Sequence, residues 1–111
     1  MTGIFIHKDL ANGGWLKLSL MEQLGNIGSE VGRARVYQNK DLEKFQKATD
    51  RALELFYLTI ADKRWSGRLR EIGRAREVFC DAISGGREYD SNLVDLEKYF
   101  MYFALSARLG R

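Results

Sequence analysis

With 111 residues, 45% of them apolar and 30% charged, the chain has enough to bury for one globular domain and no room for a second. The absence of proline suits a chain that is helical for most of its length. A single cysteine, Cys80, excludes an internal disulfide framework and fits a reducing compartment. There is neither a transmembrane-length apolar run nor a signal-peptide pattern, so the expectation is a soluble, cytoplasmic protein without a membrane partner. The only histidine, His7, has no carboxylate at a useful spacing, which leaves no metal site of the histidine type. No phosphate-cradling loop ending in Gly-Lys-Ser/Thr and no dinucleotide fingerprint is present. The chain therefore reads as non-enzymatic and without a cofactor. A weaker enzyme reading, through Glu30, Glu71 and nearby arginines, has no motif behind it.

Residues 1–14 contain the apolar patch Ile4-Phe5-Ile6 and the turn-like Asn12-Gly13-Gly14, and read as an N-terminal arm lying on residues 15–111 or on a neighbouring subunit. From Leu20 the apolar residues Leu20, Leu24, Ile27, Val31 and Ala34 alternate steps of four and three, which predicts one helical stripe. Beside it runs a line of glycines, Gly25, Gly28 and Gly32. Each costs a helix interior about 1 kcal/mol against alanine, so the line marks either close approach of another backbone or partner, or a kink.

A second helix is expected from the N-cap residue Asp41, with Leu42, Phe45, Thr49, Ala52, Phe56 and Thr59 facing inward, widened by Leu53 and Ile60. It should end around Asp62 to Trp65. The third runs from about Arg68 through Leu69, Ile72, Phe79 and Ile83, and stops at Gly85-Gly86. The fourth starts near Asp90 to Asn92 and runs through Leu93, Leu96, Phe100, Phe103 and Ala107 to Gly110. Four such stripes with short connections define an all-α, antiparallel four-helix bundle. Its two hairpins are pseudo-repeated. Glu30-Val31-Gly32-Arg33-Ala34-Arg35 returns as Glu71-Ile72-Gly73-Arg74-Ala75-Arg76, and Asp41-Leu42-Glu43-Lys44-Phe45 returns as Asp95-Leu96-Glu97-Lys98-Tyr99.

The basic residues are unevenly placed. Lys63, Arg64, Arg68, Arg70, Arg74 and Arg76 crowd the second connection and the start of the third helix, with Arg33 and Arg35 in the equivalent part of the first. Arg70 and Arg74 share a face, and Arg76 falls nearer the core edge. One reading is a phosphate-tracking face formed by Arg64, Arg68, Arg70, Arg74 and Arg33, with Trp65 or Tyr37 available for stacking. The other is a solvated face whose arginines pair with Glu71, Glu77, Asp62 and Asp81. The net charge of +3 gives only a mild overall field. Cys80 reads as a small buried thiol. Tyr99, Phe100, Tyr102 and Phe103 go most of the way round the fourth helix, so Tyr99, Tyr102 and Phe103 need cover from the arm or from another subunit.

The stretch Asn26-Ile27-Gly28-Ser29-Glu30-Val31-Gly32-Arg33 resembles the "Asn-Ile-Ala-Glu-Gly … Gly-Arg" signature of the small proteins encoded in 23S rRNA intervening sequences, with Ser29 and Glu30 in place of the usual Glu-Gly. Asp41, Phe45, Ala52 and Leu55 follow where that family's second helix has similar residues, so the resemblance spans about the first half of the chain. The superfamily also includes the basic accessory proteins of diversity-generating retroelements, which bind nucleic acid and a reverse transcriptase. The resemblance implies a bacterial-type homo-oligomer, ring-shaped and often of five subunits, with a basic surface. Two functions stand open. One is a self-associating bundle that binds RNA or DNA without base specificity, as an accessory to a nucleic-acid-processing protein. The other is an assembly subunit whose arginines only make salt bridges.

Overall fold

The computed structural model describes residues 13–109; most of the arm, with Ile4-Phe5-Ile6 and His7, lies outside them. Four α-helices follow one another: α1 Leu20–Tyr37, α2 Leu42–Ala61, α3 Leu69–Ile83 and α4 Leu93–Arg108. The helices lie side by side in chain order and α4 returns to pack against α1, which closes an antiparallel bundle. Its radius of gyration is 13.6 Å, close to the roughly 13 Å of a compact chain of this length. No described helix is long and apolar enough to cross a membrane.

Local chemistry sets the ends of these helices. Ser19 opens α1 with a capping box: its hydroxyl accepts from the Glu22 amide at 3.1 Å, and its own amide donates to the Glu22 carboxylate at 2.9 Å. Asp41 caps α2 and Asn92 caps α4 through their side-chain oxygens. After α3 the chain turns through Gly85 and Gly86 at φ 109° and 74°, a backbone that glycine adopts without strain. The second connection is itself ordered: Lys63–Arg68 form a 3-10 turn capped by Asp62.

The α1 stripe is buried throughout, from Leu20 to Ala34. At the centre Phe56 of α2 meets Phe79 of α3 and Phe100 of α4, with ring centroids 5.8 and 5.9 Å apart. Two expected core residues are exposed instead. Leu42 is 80% accessible and Leu69 41%. Each is the first residue of its helix, where the stripe runs past the neighbour that would cover it. The repeat holds for Val31 with Ile72 and Ala34 with Ala75, all buried. It parts at Asp41, which caps α2, and Asp95, which lies three residues inside the cap of α4.

Trp15 and Gln23 are absent from the stripe pattern, although Thr59, the partner of Trp15, belongs to it. The ring of Trp15, in a 3-10 turn before α1, is buried, and its Nε1 donates to Thr59 Oγ1 at 3.0 Å. Gln23 donates to the Trp15 carbonyl and to Asp62 Oδ2, and accepts from Trp65 Nε1. A connected polar network thus joins residues 15–23 to the α2–α3 junction, with its members satisfied inside a low-dielectric core.

Candidate functional site

Three of the five predicted phosphate-binding arginines, Arg33, Arg64 and Arg68, are paired with carboxylates. Arg64 is exposed but folds back onto the α2–α3 junction: its Nη2 donates to Asp62 Oδ2 and to the Leu18 carbonyl, both at 2.7 Å, and its guanidinium lies 4.4 Å from the Trp65 ring centroid. These hydrogen bonds hold the Asp62 carboxyl down at about 2, against an ordinary value near 3.8, with the Arg64 side chain as the largest cause. Trp65 is occupied on its face by Arg64 and at its nitrogen by Gln23, so it is not an open platform for a base. Tyr37, the other stacking candidate, is half-buried with the Lys44 ammonium 5.3 Å from its ring centroid.

On α1, Arg33 Nη1 donates to both oxygens of the buried Glu30 carboxylate at 2.7 and 2.9 Å. Arg68 donates through Nε and Nη2 to Glu71 Oε2 at 3.0 and 2.8 Å. Arg74 stacks over the Tyr89 ring at 4.6 Å and has no carboxylate within ion-pair distance among the described residues. Arg70 is exposed and unpaired among them. Arg76 is exposed rather than set at the core edge, because the buried residues Ile72, Ala75, Phe79 and Ala82 centre the α3 stripe away from it, and Cys80 is half-buried rather than buried. Glu30 and Glu71 sit on different helices, each with its own arginine, and the groove that Glu71 lines does not include Glu30.

The glycine line lies against α4, and α1 runs through it as one unbroken helix. A Cβ on Gly25 would meet Ala104 Cα at 3.0 Å, one on Gly28 would meet Phe100 Cβ at 2.6 Å, and one on Gly32 would collide with the Glu97 carboxylate. Glu97 in turn accepts from Arg35 Nε, an ion pair across the same seam.

Round α4 the environment changes by sector. Leu93, Leu96 and Phe100 enter the core, and Glu97 and Ala104 face α1. Phe103 is half-buried, its ring packed edge-on against Tyr99 at 5.3 Å. Tyr99 is 39% accessible and borders a groove between α3 and α4. The remaining sector carries Val94, Met101, Tyr102, Leu105 and Leu109, all exposed, with Tyr102 73% accessible. Lys98, Met101, Tyr102 and Leu105 line a shallow hollow there.

Among the described residues no three His, Cys, Asp or Glu side chains gather as a metal site. No protein-family model matches the chain, and comparison with characterised proteins and with solved structures returned no match.

Proposed function

We propose that this chain is a cytoplasmic, non-enzymatic assembly subunit, a four-helix bundle that joins copies of itself through the outer face of α4. The observation that supports it is the exposed row of Val94, Met101, Tyr102, Leu105 and Leu109. Contiguous apolar rows on a folded surface mark interaction sites. The hollow within the row carries one charge, Lys98, and no carboxylate, so it offers little to a charged partner. A second copy related by a twofold axis sets the same apolar residues against one another, and the Lys98 ammonium can rest on a tyrosine face across the axis.

A second reading keeps RNA or DNA as a partner without base specificity. It rests on Arg70 and Arg74, one helical turn apart and both without a carboxylate partner among the described residues. Repeated on each copy of an assembly, that pair would add phosphate contacts at no change in the fold.

One set of preparations tests both. Light scattering at micromolar concentration should give a multiple of 12.8 kDa. The double variant Tyr102→Glu/Leu105→Glu should give the monomer with its helical circular dichroism intact. A wild-type monomer would remove the assembly reading. Titration with a generic single strand and a generic duplex tests the second reading. No binding at about 50 mM salt removes it. Binding whose log K falls with log[salt] sustains it, provided that Arg70→Ala makes the slope shallower by about 0.7–0.9 for each phosphate the arginine had neutralised.

A further inference from the structure

The groove between α3 and α4, on the opposite side of Tyr99 from the assembly row, has a cavity volume of about 360 Å³ and is lined mainly by apolar atoms. Its floor is Ala75, Val78 and Leu96, with the Tyr99 ring as one wall. It exists because α3 and α4 approach each other less closely than α1 approaches either of its neighbours, while Phe79 and Phe100 fill only the deeper layer. That volume and lining are those of a small-molecule site, which needs few polar groups if they are placed well.

The rim supplies those groups. Glu71 is ion-paired with Arg68 at 2.8 Å, both side chains half exposed, and the Asp95 carboxylate keeps its charge while accepting from Asn92 Nδ2 at 2.9 Å within the first turn of α4. Arg74 is the rim cation, and it has no carboxylate partner among the described residues. Its position is fixed from behind. Asp81, buried at the end of α3, accepts from the Glu88 and Tyr89 amides and from Ser91 Oγ at 2.8, 3.0 and 2.6 Å. Those bonds hold the 84–92 loop, set the Tyr89 ring under the Arg74 guanidinium, and keep the Asp81 carboxyl below its usual range, the Ser91 bond first among the causes. A guanidinium stacked on a fixed ring loses little further freedom when it grips an anion.

We infer that the α3–α4 groove is a binding site for a small aromatic or alicyclic carboxylate, its ring on Ala75, Val78 and Leu96 and its carboxylate on Arg74. The inference does not depend on the assembly reading, since the groove and the exposed row occupy different sides of α4.

Three probes of one shape and different charge test it: naphthalene-2-carboxylate, 2-naphthylmethanol and 2-naphthylmethylammonium, added to the full chain while methyl NMR shifts of Val78 and Leu96 are followed. The carboxylate should give saturable shifts with a Kd on the order of 1 mM or below, as expected for so few atoms. The alcohol should bind about three- to ten-fold more weakly, the loss expected for one charge-assisted hydrogen bond at a partly exposed site, and the ammonium more weakly still. Arg74→Gln should erase the preference for the carboxylate over the alcohol. Val78→Trp, which fills the groove, should abolish all three. Equal affinity for the three probes, preference for the ammonium, or no saturable shift up to about 10 mM would each overturn the assignment. Should Val78→Trp fail to fold, the charge series on wild type and Arg74→Gln still decides it.

Discussion

Two helical glycines, Gly28 of α1 and Gly73 of α3, meet different surroundings. A Cβ on Gly28 would lie 2.6 Å from Phe100 Cβ, a side-chain root that cannot swing away, so Gly28→Ala must push α1 and α4 apart. Overpacking of that kind costs about 1–3 kcal/mol. Gly73, in the second turn of α3, has nothing within 4 Å of such a Cβ. There the change removes backbone freedom from the unfolded chain and should stabilise by about 0.5–1 kcal/mol. Thermal melts of the two variants should therefore move in opposite directions, and a Gly28→Ala protein as stable as wild type would show that the seam has slack. The α1 glycine line stood out because three glycines on one helical face are expensive without a neighbour, but the pattern left a close approach and a kink both open. Which helix supplied the neighbour was not legible, since the pattern on α1 alone does not say what packs there.

At the scale of elements, the junction of α2 with the 3-10 turn is held by Asp62, whose folded-state value of about 2 lies below its ordinary 3.8. The sign follows from linkage. A depressed carboxyl contributes stability above its unfolded value and loses it as pH falls through the folded one, here between about 4 and 2. Asp62→Asn should lower the melting temperature at neutral pH, where removing a carboxylate from Arg64 and Gln23 costs about 1–3 kcal/mol. The gap between variant and wild type should then close as pH falls through that window. Melting curves measured from about pH 6 to 2 that stay parallel would count against the junction as described. The cap at Asp41 and the stop at Gly85-Gly86 were readable, and the cap of α4 was narrowed to residues 90–92, because turn and cap chemistry is local. The Trp15–Gln23–Asp62 network was not. Its members are single residues joined across 39 and 44 positions, and such pairings leave no periodic trace in a chain. The arginine cluster divides in the same way. Arg33–Glu30 and Arg68–Glu71 are pairs three apart that spacing alone allows, whereas the fold-back of Arg64 depends on the Leu18 carbonyl, 46 residues away in sequence.

On the whole molecule, α1 is the shared member: it packs closely against both α2 and α4, while α3 touches its neighbours lightly and leaves a groove on one side. That asymmetry has a consequence in time. Opening free energies within a native protein follow local burial, so α3 and the 84–92 loop should swing out in fluctuations that leave the α1–α2–α4 trio closed. Amide protons of α3 would then exchange with solvent by partial opening, and those of α1 only when the whole chain unfolds. Native-state hydrogen exchange in low denaturant should place α3 on a shallower denaturant dependence than α1, and a single common isotherm for all four helices would exclude it. A bundle whose fourth wall is hinged this way keeps one side of its interior within reach of solvent.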